Sequence, residues 1–222
     1  GIRRPVHPSG VIDPAPFVKY LLTRLAHVTA ASNLPSIRAH GLLSAQMIAK
    51  RAGVQQIALR AKRVRLTSRT LDATLNHQKP ILHGIKAASR VIDGHSPESW
   101  AQQLDTRIFF WPERKGAAFA RSIARDVPIA VLWLKTDGLI DMFADSLFLS
   151  PINSGSFVQG GARARRGDWI YVPVSSGLGA FRANRIHRGL KTITDSVKEI
   201  SLVQPIPADR LNDLLIDIER TG

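Results

Sequence analysis

The sequence predicts an α+β domain with a mixed or mostly antiparallel sheet, and three observations carry that expectation. Apolar runs of strand length crowd the second half of the chain. Helical periodicity comes early, as separate insertions rather than in strict alternation with strands. Hydrophobic content of 44% with 22% charge is that of a globular chain, and neither internal repeats nor a long linker divide it.

Taken in order, residues 1–16 contain Pro5, Pro8, Pro14 and Pro16 and read as an extended arm, with 17–222 as a single domain. Phe17 to Arg24 has a helical rhythm, and Leu25 to Thr29 alternates as a strand does. A helix then opens at Ser32 or Asn33, carries Pro35 in its first turn and stops at Gly41. Ala45 to Ala52 reads as a short helix, and 71–90 as helical stretches around Pro80. Ser96 caps a helix over Pro97 to Leu104. Strands are expected at 106–112, 127–135, 145–150, 168–174 and 197–203, with a helix at 117–125. Residues 207–219 form an amphipathic pattern through Leu211, Leu214, Leu215 and Ile218, which predicts a final helix. The Gly-, Ser- and Arg-rich segments 151–167 and 175–190 are expected to be irregular, and long loops in compact domains often carry function.

The net charge is +14, and it is unevenly placed. No carboxylate stands between Asp13 and Asp72, while Arg60, Lys62, Arg63, Arg65 and Arg69 cluster at that stretch's end. A second basic block runs from Arg163 to Lys191, with Asp168 as its only acid. Such asymmetry predicts a face that meets a polyanion, because each neutralised phosphate releases counterions. The absence of cysteine excludes disulfides, thiolate metal sites and cysteine nucleophiles. The apolar runs are too short to span a bilayer, and no secretory signal is read, so a cytoplasmic protein without membrane partners is expected.

Familiar catalytic signatures are missing. There is no phosphate-binding G-x-x-x-x-G-K loop, no H-E-x-x-H and no G-x-S-x-G. His77 and His83 stand six apart and share no helical face, so no metal site is expected. Arg163, Arg165 and Arg166 precede Trp169 and Tyr171, which joins phosphate-seeking charge to rings as in single-strand binders. The same pattern equally suits a basic loop leading into a core strand.

One ordered set of blocks goes further. "HVTAASNLPSIRAHGLL" (27–43), "RIFFWPERKGAAFA" (107–120), "PIAVLWLKTDGLI" (128–140) and "KEISLVQPIPADRLNDLLI" (198–216) together resemble the ADP-ribosyltransferase superfamily. The likeness is greatest to DarT-type nucleic-acid ADP-ribosyltransferase toxins and their uncharacterised bacterial relatives. It implies an ADP-ribosyltransferase-like fold, with a central mixed or antiparallel split β-sheet flanked by helices. It also implies NAD as substrate without a metal, a DNA or RNA base as acceptor, and a toxin or phage-defence role in which an antitoxin protein is a second partner. Glu199 matches the family's catalytic glutamate. His27 matches its ribose-binding histidine, with Thr29 and Ser36 nearby. Arg63 and Arg65 both fall where an essential arginine meets the pyrophosphate, and the residues do not separate them.

Chemistry is consistent with these assignments. Breaking the nicotinamide–ribose bond develops positive charge that a fixed carboxylate stabilises. Glu199 sits in an otherwise apolar strand, where an acid is costly to bury without a partner. Alternation equally allows it to face water beside Lys198. Two departures stand out: Glu113 rather than Arg follows the central Pro112, and "SPINSGSFVQGGARARRGDW" (150–169) has no counterpart in the DarT toxins. In that segment Asn153 and Ser154 are expected to contact NAD, and Arg163, Arg165, Arg166 and Trp169 the nucleic acid. Two alternatives stay open: a tRNA 2′-phosphotransferase-like enzyme, and a non-catalytic nucleic-acid-binding module.

Overall fold

The computed structural model describes residues 11–158, 163–187 and 196–221. The first ten residues of the expected arm therefore lie outside the described residues. Helix α1 (Ala15–Leu21) leads into strand β1 (Arg24–Ala30), helix α2 (Leu34–His40) and helix α3 (Ala45–Arg51). A hairpin of β2 (Val64–Thr67) and β3 (Asp72–Leu75) follows, then helices α4 (Lys79–His83), α5 (Ile85–Val91) and α6 (Pro97–Asp105). Strand β4 (Ile108–Pro112), helix α7 (Glu113–Ile123), strand β5 (Ile129–Lys135), helix α8 (Thr136–Phe143) and strand β6 (Leu147–Ser150) form the middle of the chain. Strand β7 (Val172–Pro173), helix α9 (Gly177–His187), strand β8 (Glu199–Leu202), helix α10 (Ala208–Leu214) and strand β9 (Leu215–Thr221) complete it.

Seven strands assemble in the order β7-β6-β8-β4-β1-β5-β9, and every pairing between them is antiparallel. The α+β expectation is met, with the antiparallel rather than the mixed form of the sheet. Strand β5 is apolar on both faces because both are covered. Ala130, Leu132 and Leu134 join the main core, while Val131 and Trp133 pack with Ala26 and Ala120 of α7 on the other side.

The sheet is not continuous at its centre. Strand β1 pairs with β5 along its whole length, from Arg24–Lys135 to Ala30–Ile129. With β4 it pairs only at Leu25–Pro112 and Ala26–Trp111. Beyond that point Ile108–Phe110 of β4 pair with β8 instead. The two halves of the sheet thus part after Ala26, and the opening between them is where the cleft lies.

Four sequence expectations are corrected. The helix expected over 207–219 ends at Leu214, and Leu215–Thr221 form strand β9 along the edge of β5. An apolar strand with an open edge needs a partner, and the β-branched Ile216 and Ile218 suit that role. Residues 72–75, expected to be helical, form β3. Of the strand expected at 168–174, Asp168–Ile170 make a single tight turn and only Val172–Pro173 pair. Segment 175–190, expected to be irregular, contains α9, anchored by buried Phe181 and Arg185.

Helix α7 reaches the sheet through Gly116. A Cβ there would lie 2.4 Å from Cβ of Ala26. Gly116→Ala is expected to push α7 off β1 and lower unfolding free energy by about 2 kcal/mol, as overpacking does. Chemical denaturation checks this; unchanged stability would show that the helix–strand contact is slack.

Candidate active site

A cleft of about 630 Å³ occupies the fork between β1 and β4. His27 and Thr29 face it from β1, Phe109 and Trp111 from β4, and Glu199 from β8. The 60–63 loop and the Asn153–Ser156 loop border it. The early imidazole and the late carboxylate, 172 positions apart in sequence numbering (199 − 27), therefore share one cavity.

Glu199 is 2% exposed and begins the four-residue buried strand β8. The backbone N–H of Ser154 donates to its Oε1 at 3.1 Å. Burial pushes the carboxyl up to about 7, against the opposing pull of Ser154 and then of the Arg166 and Arg107 guanidiniums. A carboxylate poised near neutrality in a cleft marks a functional site more often than an ordinary surface acid does.

The loop that holds Glu199 is itself held by Arg166. That side chain is fully buried, and its Nη1 donates to the carbonyls of Asn153, Ser154 and Ser156 at 2.8, 3.1 and 3.0 Å. Trp100 Nε1 donates to the Ser154 carbonyl at 3.0 Å, and Asn153 Oδ1 accepts from the Gly155 N–H at 3.1 Å. The Arg166 guanidinium lies 4.1 Å from the Phe157 ring centre, and burial lowers its pKa to about 10. Arg166 is thus a positioning group inside the molecule, not the nucleic-acid contact that the sequence suggested.

His27 spans the fork. Its Nδ1 donates to the Phe109 carbonyl at 2.9 Å, since a carbonyl can only accept. Burial lowers its pKa, so the imidazole is neutral at pH 7 and Nε2 is left as an acceptor suited to a hydroxyl. Thr29 also lines the cleft and accepts from Asn33 Nδ2 at 2.9 Å. Asn33 stands at the start of α2 without capping it. Its side chain bonds Thr29 and both backbone groups of Thr74, joining β1 to the hairpin. Ser36 lies beyond the main cleft, and its hydroxyl donates to the Asp72 carbonyl at 2.8 Å.

The structure separates the two candidate arginines. Arg63 lines the cleft and faces Asp126 across its mouth at 3.7 Å. Arg65 points to solvent from β2 and forks onto Asp72 at 2.7 and 2.6 Å, outside the cleft. Asn153 and Ser154 border the cleft as expected. Arg163 is exposed, Arg165 pairs with Asp93, and Trp169 Nε1 donates to Asp93 at 3.1 Å. Trp169 is partly buried, packs on the cluster around Trp100 and does not line the cleft.

Sequence reasoning missed several groups. Arg107 is 8% exposed, lines the cleft, donates to Ser201 Oγ at 3.0 Å and stacks 3.5 Å from the Tyr171 ring centre. Arg60 and Asp105 form a buried two-pronged pair at 2.8 and 2.9 Å on the cleft wall, with Gln78 attached. Both pairings are long-range and left no local signal. The alternating Phe109 and Trp111 of β4 did leave one, since residues two apart share a strand face. Elsewhere Ser99, His95 and Asp168 line up at 3.3 and 2.9 Å, but the Ser99 hydroxyl is engaged in the cap of α6 and none of the three lines the cleft.

Residues 23–211 match the family described as "Family of unknown function (DUF7002)", which covers most of the chain, and the protein belongs to that family. No curated protein and no solved structure matches it. Among the described residues, no helix is long and apolar enough to cross a membrane.

The poised carboxylate has a stability signature. Folded Glu199 keeps its proton up to about pH 7, whereas the unfolded chain releases it near the ordinary 4.5. The folded state then binds more protons in that window, so stability is greatest below 4.5 and falls as pH rises through 7, by roughly 3 kcal/mol. Glu199→Gln is expected to match the parent near pH 4.5 and exceed it above pH 7. Parallel curves from denaturant melts across that range would show that the carboxyl is not poised.

Proposed function

We propose that this DUF7002 protein is an NAD-dependent ADP-ribosyltransferase with a nucleic acid as acceptor, acting in the cytoplasm as a toxin or phage-defence effector. The observation that carries the reading is the shared cleft: a neutral imidazole and a buried carboxylate face each other's cavity across the fork of a split antiparallel sheet. Such a split sheet flanked by helices is what an ADP-ribosyltransferase-like fold requires.

The residues present suit the substrate. His27 Nε2 can accept a ribose hydroxyl, and Glu199 can accept another while opposing the positive charge that develops at the ribose carbon. Arg63 is the cleft cation placed for a pyrophosphate, and a guanidinium forks onto phosphate oxygens. Asp126 holds it until an anion competes. In the reaction the bond from ribose to nicotinamide breaks, nicotinamide leaves with the electron pair, and the acceptor's nucleophilic atom bonds the ribose carbon and loses a proton. The strong positive charge of the whole chain supports a polyanionic acceptor.

Labelled NAD is to be incubated with the protein and with DNA, RNA and protein acceptors in separate arms. Label is expected on nucleic acid, and Glu199→Gln is expected to cut kcat by at least about 100-fold, as loss of a transition-state charge partner does. The acid limb of kcat/KM should be half-maximal near pH 7, where the free enzyme's Glu199 ionises. The limb of kcat should lie lower, because the cationic nicotinamide ring of bound NAD, placed beside Glu199, favours the carboxylate. Absence of nicotinamide release with every acceptor would sink the reading, and removal of a 2′-phosphate from RNA in its place would transfer it to the phosphotransferase.

A further inference from the structure

Outside the cleft, one amine has surroundings that neither the fold nor the proposed reaction explains. Lys115 of α7 is partly buried, whereas every other lysine among the described residues is exposed. Its Nζ donates to the Val197 carbonyl at 2.5 Å, which ties α7 to the residues leading into β8. An ammonium can donate from each of its N–H groups, and among the described residues this is the one hydrogen bond it makes. No carboxylate pairs with it. The only acid of α7, Glu113, is taken by Arg24 at 3.0 Å.

Its neighbours are cations instead. Arg185 of α9, itself buried, donates from Nη1 to the Ser196 carbonyl at 3.2 Å, next to the carbonyl that Lys115 holds. Lys198, exposed, stands on the other side of Val197. Burial first, then the charges of Lys198 and Arg185, lower the Lys115 pKa to about 8. Near that pH half of the side chain is the free amine, which is the nucleophilic form. Partial burial restricts approach to small electrophiles, and the flanking cations favour a product that carries negative charge. Carbon dioxide meets both conditions, because it is small and its adduct with an amine is an anion. An acyl donor would leave a neutral amide, with Arg185 and Lys198 still facing no negative charge at that nitrogen.

We propose that Lys115 is an N-carboxylation site, at which the free amine adds carbon dioxide and the resulting carbamate is stabilised by Arg185 and Lys198. In the addition Nζ bonds the carbon, an electron pair of one C=O bond moves to its oxygen, and a proton of the nitrogen passes to solvent. Neither an oxidant, a reductant nor a leaving group is involved. The remaining N–H still donates to the Val197 carbonyl, so the tie between α7 and β8 is kept while a cation becomes an anion. The addition needs no ADP-ribosyltransferase activity.

The test is carbon NMR of the protein in ¹³C-labelled bicarbonate. The chain's α-amino group also forms a carbamate, so Lys115→Arg, which keeps the cation and a donor for Val197, supplies the baseline. Lys115→Gln serves if the arginine variant does not melt cooperatively. A carbamate resonance is expected in the parent and not in the baseline, growing at fixed bicarbonate as pH rises through about 8 and then levelling off. Because Lys198 is exposed, Lys198→Gln is expected to leave the fold intact and to lower occupancy by roughly 2- to 5-fold, as loss of an exposed ion pair does. Alkylation of the adduct in the unaltered protein, followed by mass spectrometry of its peptides, should place it at residue 115. Identical spectra in parent and baseline would overturn the site, as would an adduct indifferent to Lys198→Gln. Label confined to the α-amino group of the unaltered protein would overturn it whatever the variants do.

Discussion

The parting of β1 from β4 after Ala26–Trp111 is the constraint on which the rest of this molecule depends. Two neighbouring strands that stop pairing leave backbone groups without ladder partners, and each must be satisfied some other way. His27 takes one of them, donating to the Phe109 carbonyl, and is thereby fixed at the apex of the opening. A single hydrogen bond thus closes the backbone account, sets the imidazole tautomer and orients the ring. Each half of the sheet stays rigid because its outer partners are complete: β5 and β9 behind β1, β8 and β6 behind β4.

A fork of this kind is a good place to keep a charge out of water. Glu199 lies in a strand whose other residues are core, and it survives there because Ser154 donates to it and two guanidiniums stand nearby. The Ser154 donor comes from a loop whose shape is set by Arg166, a buried cation bound to the carbonyls of Asn153, Ser154 and Ser156. The loop 153–156 is therefore less a flexible appendage than a bracket, with Arg166 as its pin. The balance of desolvation against these donors leaves the carboxyl near neutrality, where small changes in the cleft's charge shift it either way.

How much of this was legible in the sequence follows from the range of each interaction. Elements whose signals are local came through: the capped helix α6, the apolar β5, and the strand–helix block that places His27. Elements decided by a distant partner did not. Nothing within 207–219 reveals that β5 has an open edge, so amphipathic spacing reads as helix while the chain turns to strand. The same limit governs the site. The resemblance of the ordered blocks named Glu199 and His27, but no local pattern distinguishes Arg63, which lines the cleft, from Arg65, which pairs with Asp72 outside it. Arg166 was visible as a cation in a basic loop, and only the fold shows that its charge points inward.

The family assignment gives this arrangement its reach without giving it a reaction, and the proposal that most needs a test is spatial: that a dinucleotide binds in the fork where β1 parts from β4. The most direct measurement is a crystal structure of Glu199→Gln soaked with NAD. The account predicts the nicotinamide ribose between His27 and position 199, with the pyrophosphate drawn to Arg63 away from Asp126. Dinucleotide density elsewhere on the molecule, with the fork unchanged and empty at saturating NAD, would contradict it.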